Sequence, residues 1–199
     1  MTNKHLIMPQ KQPSWCYKKA DVYNLQNVQE ELRTVLPRYD NGSISFSIIW
    51  KKQIQKSLPL TTKMLSDMNI IERWSHVILV KMQDDKWTPH IDWHDWREQC
   101  FSLNIPLQNV GGTFTAFYRA KIIEKRPEKS EHRKGTGETH RMVDPKTAEE
   151  ICRVDADQPL WINTSIPHTP IVDHDKLRIN ACFRFNPELH DFFEDGTIP

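Results

Sequence analysis

Leu177-Arg178-Ile179-Asn180-Ala181-Cys182-Phe183-Arg184-Phe185 alternates apolar and polar residues without a break. On a β-strand, successive side chains point to opposite faces. The alternation therefore puts Leu177, Ile179, Ala181, Phe183 and Phe185 on one side and Arg178, Asn180, Cys182 and Arg184 on the other. Cys100 to Leu107 repeats the pattern, with Phe101, Leu103, Ile105 and Leu107 opposite Cys100, Ser102, Asn104 and Pro106. Two such strands fit a sheet with one wet face, or a barrel around a polar cavity.

Working outward, strands are expected at Ser75 to Met82, Lys86 to Asp92, Thr113 to Arg119, Ile151 to Val154 and Pro159 to Thr164, most of them separated by Gly, Pro, Asn or Asp turns. No helical pattern alternates with them. That disfavours a parallel doubly wound sheet and favours an antiparallel sandwich or barrel. The first zone differs. Val22 to Leu36 carries apolar residues at helical spacing and is closed by Pro37, a second helix is expected from Thr61 or Thr62 to about Asn69, and a strand from Ile44 to Trp50 lies between them. Residues 123–149 read as a charged insertion, a long exposed loop whose residues 119–141 lean basic.

The chain has 199 residues, a length that suits one domain with a substantial core. The expected division is residues 1–72 as helical support with a first strand, 73–187 as the β core with its insertion, and 188–199 as a tail. Lys and Arg number 27 against 26 Asp and Glu, so overall charge points neither to a general nucleic-acid binder nor to a membrane surface. No apolar run approaches the roughly 20 residues of a membrane helix, and no secretory signal opens the chain, so a cytoplasmic protein is expected. Cys16, Cys100, Cys152 and Cys182 show no Cys-x-x-Cys spacing, which disfavours a thiolate zinc site and fits reduced, mostly buried thiols.

His90-Ile91-Asp92 closes one of the expected strands. Residues two apart share a face, so an imidazole and a carboxylate can converge on one ion. His168, after the turn Ser165-Ile166-Pro167, can add a third ligand from an adjacent strand about 4.8 Å away. Two histidines and one carboxylate cover one face of an octahedral metal and leave three positions open, which suits a non-haem Fe(II) that binds a co-substrate and O₂. Arg178, ten positions after His168 on the polar face, can grip a carboxylate with its guanidinium fork. Competing ligands are His94, which shares the face of His90 and Asp92 if the strand continues, and His174, which precedes Arg184 by the same ten positions. Gly111-Gly112 is a hairpin rather than a phosphate loop, since no Lys-Ser or Lys-Thr follows it. The signatures of α/β-hydrolases and zinc proteases are absent from the sequence.

This order of elements, a strand ending in His-x-Asp, several strands, a His and an Arg soon after, resembles the Fe(II)/2-oxoglutarate-dependent oxygenase superfamily over residues 74–187. The resemblance implies a mainly β protein with flanking helices, built on a double-stranded β-helix, the cupin-like jelly roll. It implies that His90, Asp92 and His168 bind iron, that Arg178 binds the distal carboxylate of 2-oxoglutarate, and that Asn104 is a second contact to this co-substrate. Tyr118 is a weaker candidate, because alternation places it with Phe114 and Ala116 and barrel curvature would have to turn it inward. Hydroxylation with release of succinate and CO₂ is the implied reaction, and Asp92 argues against halogenation, since the related halogenases lack that carboxylate.

Prolyl 4-hydroxylases resemble the chain in size and His-x-Asp spacing but usually present Lys where Arg178 stands. Aspartyl/asparaginyl β-hydroxylases resemble it around His168 and Arg178 but lack the triad carboxylate. The substrate stays open among a protein side chain, a small molecule and a nucleobase. Two other classes stand beside this reading: a non-enzymatic cupin-like metal- or ligand-binding protein, and a nucleic-acid-binding module using the basic insertion.

Overall fold

In a computed structural model of the chain, the described residues are 15–39, 46–82, 88–94, 97–98, 101–123 and 138–185. In chain order they form β1 (Tyr17–Lys19), α1 (Leu25–Tyr39), β2 (Phe46–Trp50), α2 (Lys51–Ser57), α3 (Pro59–Asp67), β3 (Trp74–Met82), β4 (His90–His94), β5 (Arg97–Glu98) and β6 (Phe101–Gln108). Then follow β7 (Thr113–Arg119), β8 (Glu138–Met142), β9 (Glu149–Asp155), β10 (Leu160–Asn163), β11 (His168–Val172) and β12 (Arg178–Phe185).

The strands make two antiparallel sheets. One runs β1-β10-β6-β12-β3-β2, and the other β5-β4-β11-β7-β9, with β8 also paired to β4. Numbering the eight strands β3, β4, β6, β7, β9, β10, β11 and β12 from one to eight gives sheet orders 6-3-8-1 and 2-7-4-5. That interleaving of two four-stranded sheets is the double-stranded β-helix, or jelly roll.

β12 shows why the sequence takes this form. All eight of its residues are buried. Ile179, Ala181, Phe183 and Phe185 join Val28, Leu32 and Leu65 of the helices in the main apolar core, while Arg178, Asn180, Cys182 and Arg184 face a cavity between the sheets. The polar face is therefore not a wet outer surface, and the barrel with a polar interior is the arrangement adopted.

The helices are fixed by polar as well as apolar contacts. α1 buries Val28, Leu32 and Val35, and its Gln29 and Arg33 side chains donate to the carbonyls of Pro106 (2.6 Å) and Leu107 (2.8 Å) on β6. α3 has Leu58 at its N-cap, which brings no side-chain acceptor. Glu31 supplies one instead, accepting from the Leu60 and Thr61 amides and the Thr61 hydroxyl at 2.6 to 2.8 Å.

Several elements differ from the sequence expectation. α1 continues past Pro37 to Tyr39, because a proline in the last turn removes one hydrogen bond without stopping the backbone. The second helix starts at Pro59, two residues before the expected Thr cap. α2 has Ile54 as its one buried residue, too little to mark a period. The expected loop over residues 123–149 contains β8, paired along β4, and a bridge from Val143 to Ile122. Residues 124–137 lie outside the described set, as do 186–199. β11 carries Pro170, which the strand tolerates because β11 pairs with β4 at His168 alone.

Candidate metal centre

The register of the second sheet assembles the triad. β4 and β11 meet at His90 opposite His168, which sets the two imidazoles side by side with ring centroids 4.9 Å apart. Asp92 lies two residues along β4 on the same face. One ligand atom from each of His90, Asp92 and His168 falls within 4.8 Å of the others, and all three residues are buried. The shorter approaches are His90 Nε2 to Asp92 Oδ1 at 3.6 Å and His168 Nε2 to Asp92 Oδ2 at 3.8 Å.

Backbone carbonyls fix which ring nitrogens face the centre. His90 Nδ1 lies 3.0 Å from the Thr88 carbonyl and His168 Nδ1 lies 2.9 Å from the Ile166 carbonyl. A carbonyl only accepts, so each Nδ1 carries a proton and each ring turns its Nε2 toward Asp92, where the neutral form would present a lone pair. Burial lowers the His168 pKa below the usual histidine range, against the opposing pull of Asp92, which favours that neutral form. Holding a ligating imidazole by its second nitrogen is how metal sites orient their histidines.

Arg184 reaches across from β12 and donates through NH1 to Asp92 Oδ2. The sequence reading weighed Arg184 only as a companion of His174. Its position on the polar face of β12 was the available signal, but no spacing rule links it to a carboxylate on another sheet. His174 is not at the centre. It sits in the turn before β12, with Nε2 donating to the Asn109 carbonyl (3.0 Å) and Nδ1 accepting from the Lys176 amide (3.2 Å). β4 does continue through His94, whose side chain lies outside the described residues.

The triad opens into a cavity of about 480 Å³, its mouth included. Arg178 lines the same cavity, 2% exposed. Its Nε has no hydrogen-bond partner among the described residues, and its NH1 reaches only the Met82 sulfur, at 3.9 Å. Burial lowers the Arg178 pKa from its ordinary value, with the Cys182 thiol opposing it, yet a guanidinium stays charged at any working pH. No carboxylate among the described residues meets it, and a buried charge is costly unless it is paired, so an anion in this cavity would be favoured. Asn104 also lines the cavity; its Oδ1 accepts from the Ser102 hydroxyl at 2.6 Å, leaving the amide N–H₂ as its donor. Asn180 Oδ1 is likewise buried with no partner among the described residues.

The structure does not bring Tyr118 to this cavity. Thr113, Thr115 and Phe117 take the inward positions of β7, and Tyr118 lies on the opposite face with Glu150 and Arg153. The pairing of β7 with β9 shifts register between Phe117 and Tyr118, and Tyr118 stays on the face that alternation assigns it. The inward residue that strict alternation would have chosen is Thr115.

The donor set fits a divalent transition metal: two imidazole nitrogens and one carboxylate on one side, open cavity on the other. The buried, unsatisfied Arg178 in the same cavity fits a co-substrate that carries a carboxylate. Strand order and triad together define a jelly roll with a two-histidine, one-carboxylate site able to hold a metal. Neither a protein-family model nor a curated protein matches the chain. Among solved structures, the non-haem alpha-ketoglutarate-dependent carbocyclase SnoK from nogalamycin biosynthesis is similar over 92% of this chain and 86% of its own, at 12% identity and a TM-score of 0.43. The fold and site described above rest on this chain's own strand order and side chains. No helix among the described residues is long and apolar enough to cross a membrane.

Proposed function

We propose that the chain is a non-haem Fe(II)- and 2-oxoglutarate-dependent dioxygenase that hydroxylates its substrate. The observation that carries this reading is Arg178, a buried guanidinium whose Nε has no partner among the described residues, facing the same cavity as the triad. Iron, 2-oxoglutarate and O₂, when bound, would supply the oxidation, converting the co-substrate to succinate and CO₂ and leaving one oxygen atom on the substrate.

The chain's residues supply geometry and electrostatics. His90, Asp92 and His168 would hold the metal from one side and leave the cavity side open to exchangeable ligands. Arg184 holds Oδ2 of Asp92 and balances its charge, so the carboxylate keeps one orientation. Arg178 would grip the far carboxylate of 2-oxoglutarate in two parallel hydrogen bonds, and Asn104 would add a donor along its length. Buried walls keep bulk water from the reacting end, and a substrate entering at the mouth would be held with one C–H bond toward the metal. Side chain, small molecule and nucleobase remain the substrate classes in play.

The test is an anaerobic titration of metal-free protein with Fe(II) and then 2-oxoglutarate, following the visible charge-transfer band of a ferrous keto-acid chelate. Wild type should develop the band. His168→Ala should lose it while staying folded, because one of three ligands is gone. Arg178→Ala should keep it but need about 100-fold more 2-oxoglutarate, the value of a charge-assisted pair near 3 kcal/mol. Iron binding with no band in folded wild type would overturn the proposal in favour of a cupin-like binding protein.

A further inference from the structure

Two more reactive side chains meet on the far side of His168. Cys16 directly precedes β1, and its carbonyl accepts from the Asn163 amide at 2.9 Å. Cys152 lies on β9, paired with Phe117 of β7. β1 ends the strand order of one sheet and β9 ends that of the other, and the two strands are not hydrogen-bonded to each other. Even so, both cysteines are partly buried against one apolar cluster of Phe117, Val154, Leu160 and Ile162, and Cys152 is close enough to bear on the Cys16 thiol. Two thiols in contact at the meeting of two sheet edges are more than separate buried hydrophobes. A bond between them would tie the sheets together where side-chain packing now holds them.

The location bears on the triad. Tyr17, next to Cys16, stacks on Phe117 at 6.2 Å, and Phe117 lies 6.2 Å from the His168 ring. The cysteine pair thus sits beside a Tyr17–Phe117 stack that backs one of the triad imidazoles, Cys16 next to Tyr17 in the chain and Cys152 opposite Phe117 in the sheet.

We propose that Cys16 and Cys152 form a reversible disulfide that staples β1 to β9, making this corner of the jelly roll a redox-modification site. The oxidant is a low-molecular-weight disulfide such as oxidised glutathione. The Cys152 thiolate attacks one glutathione sulfur, forming a mixed disulfide and expelling one glutathione thiolate, which takes up a proton. Cys16 then loses its proton and attacks the Cys152 sulfur, expelling the second glutathione. Two protein thiols are oxidised, one disulfide is reduced to two glutathione molecules, and excess glutathione reverses the sequence. Burial and the neighbouring Cys152 sulfur push the Cys16 thiol up to about 12, so the pair is slow to react at neutral pH and faster as pH rises.

The site does not depend on the oxygenase reading, and its test needs no turnover. The 199-residue chain is equilibrated in glutathione buffers of increasing oxidised fraction, quenched with an alkylating agent and mapped by mass spectrometry. The expected result is concerted loss of alkylation at Cys16 and Cys152, without retained glutathione, together with a higher thermal midpoint than the reduced protein. Cys16→Ser should stop at a glutathione adduct on Cys152 and show no such rise. Three outcomes would overturn the proposal: both cysteines alkylated across the series, a wild-type adduct on Cys152 that never closes, or a bridged protein that melts below the reduced one.

Discussion

Arg184 and Arg178 stand at opposite ends of β12, on the same face and both buried, yet their surroundings differ. Arg184 donates to Asp92, a carboxylate the chain itself provides. Arg178 finds a thioether, and its Nε has no acceptor among the described residues. The same side chain thus meets a carboxylate at one end of the strand and, among the described residues, only a thioether at the other. Burial alone does not separate the two roles; the presence of a carboxylate partner does. Folding completes the first interaction, and under the proposed function a co-substrate carboxylate would complete the second.

The largest effect expected from this contrast falls on the Arg184 end. Arg184→Met removes the cation that faces buried Asp92, and breaking a buried ion pair on one side typically destabilises by about 3–5 kcal/mol. Chemical denaturation of the metal-free protein should show that loss. A divalent cation such as Co(II) should restore more of the midpoint than it adds to wild type, because the ion replaces the missing positive charge beside Asp92. Equal stability of Arg184→Met and wild type would mean that the Asp92 contact contributes nothing, and the contrast would collapse.

Arg178→Met should behave in the opposite way. With no carboxylate among the described residues to strand, the substitution replaces a buried charge by an apolar side chain of similar length beside Met82, and metal-free stability should hold or rise slightly. The loss should appear in 2-oxoglutarate binding, roughly 100-fold, which corresponds to about 3 kcal/mol. Isothermal titration of the Fe(II)-loaded protein under anaerobic conditions, set beside denaturation of the metal-free form, measures both quantities. A variant that unfolds as readily as Arg184→Met would show that Arg178 is held by the fold and not reserved for a ligand.

What the sequence disclosed follows the reach of each interaction. The alternation in β12 and β6 is a property of neighbouring residues, and it correctly placed the core face and the polar face. His90 and Asp92 were legible for the same reason, being two apart on one strand, and His168 followed from a turn that returns the chain to a neighbouring strand. The bond from Arg184 to Asp92 spans two sheets, so no local period records it. Tyr118 keeps the outward face that alternation assigns it, so the local pattern and not the expected curvature is what holds there. β8 was hidden because its pairing partner, β4, lies more than 40 positions earlier in the chain, and pairing at such distance leaves no trace in the residues of the strand itself.

Glu31 offers the sharpest control, because it is a charge whose donors are supplied by the chain and lie away from the cavity. Its carboxylate receives the Leu60 and Thr61 amides and the Thr61 hydroxyl, donors that the start of α3 would otherwise leave unmet. Those amides also carry the positive end of the helix dipole, so an ionised acceptor there is favoured twice over. Glu31→Ala should cost about 1–2 kcal/mol in denaturation, the upper range for losing a cap. Metal and 2-oxoglutarate binding, measured in the same titrations, should not move. If they weakened along with stability, a general loosening of the helical layer would be reaching the cavity through β6, where Gln29 and Arg33 anchor α1. Ligand losses in the two arginine variants would then have to be corrected for that loosening before any share of them was assigned to charge.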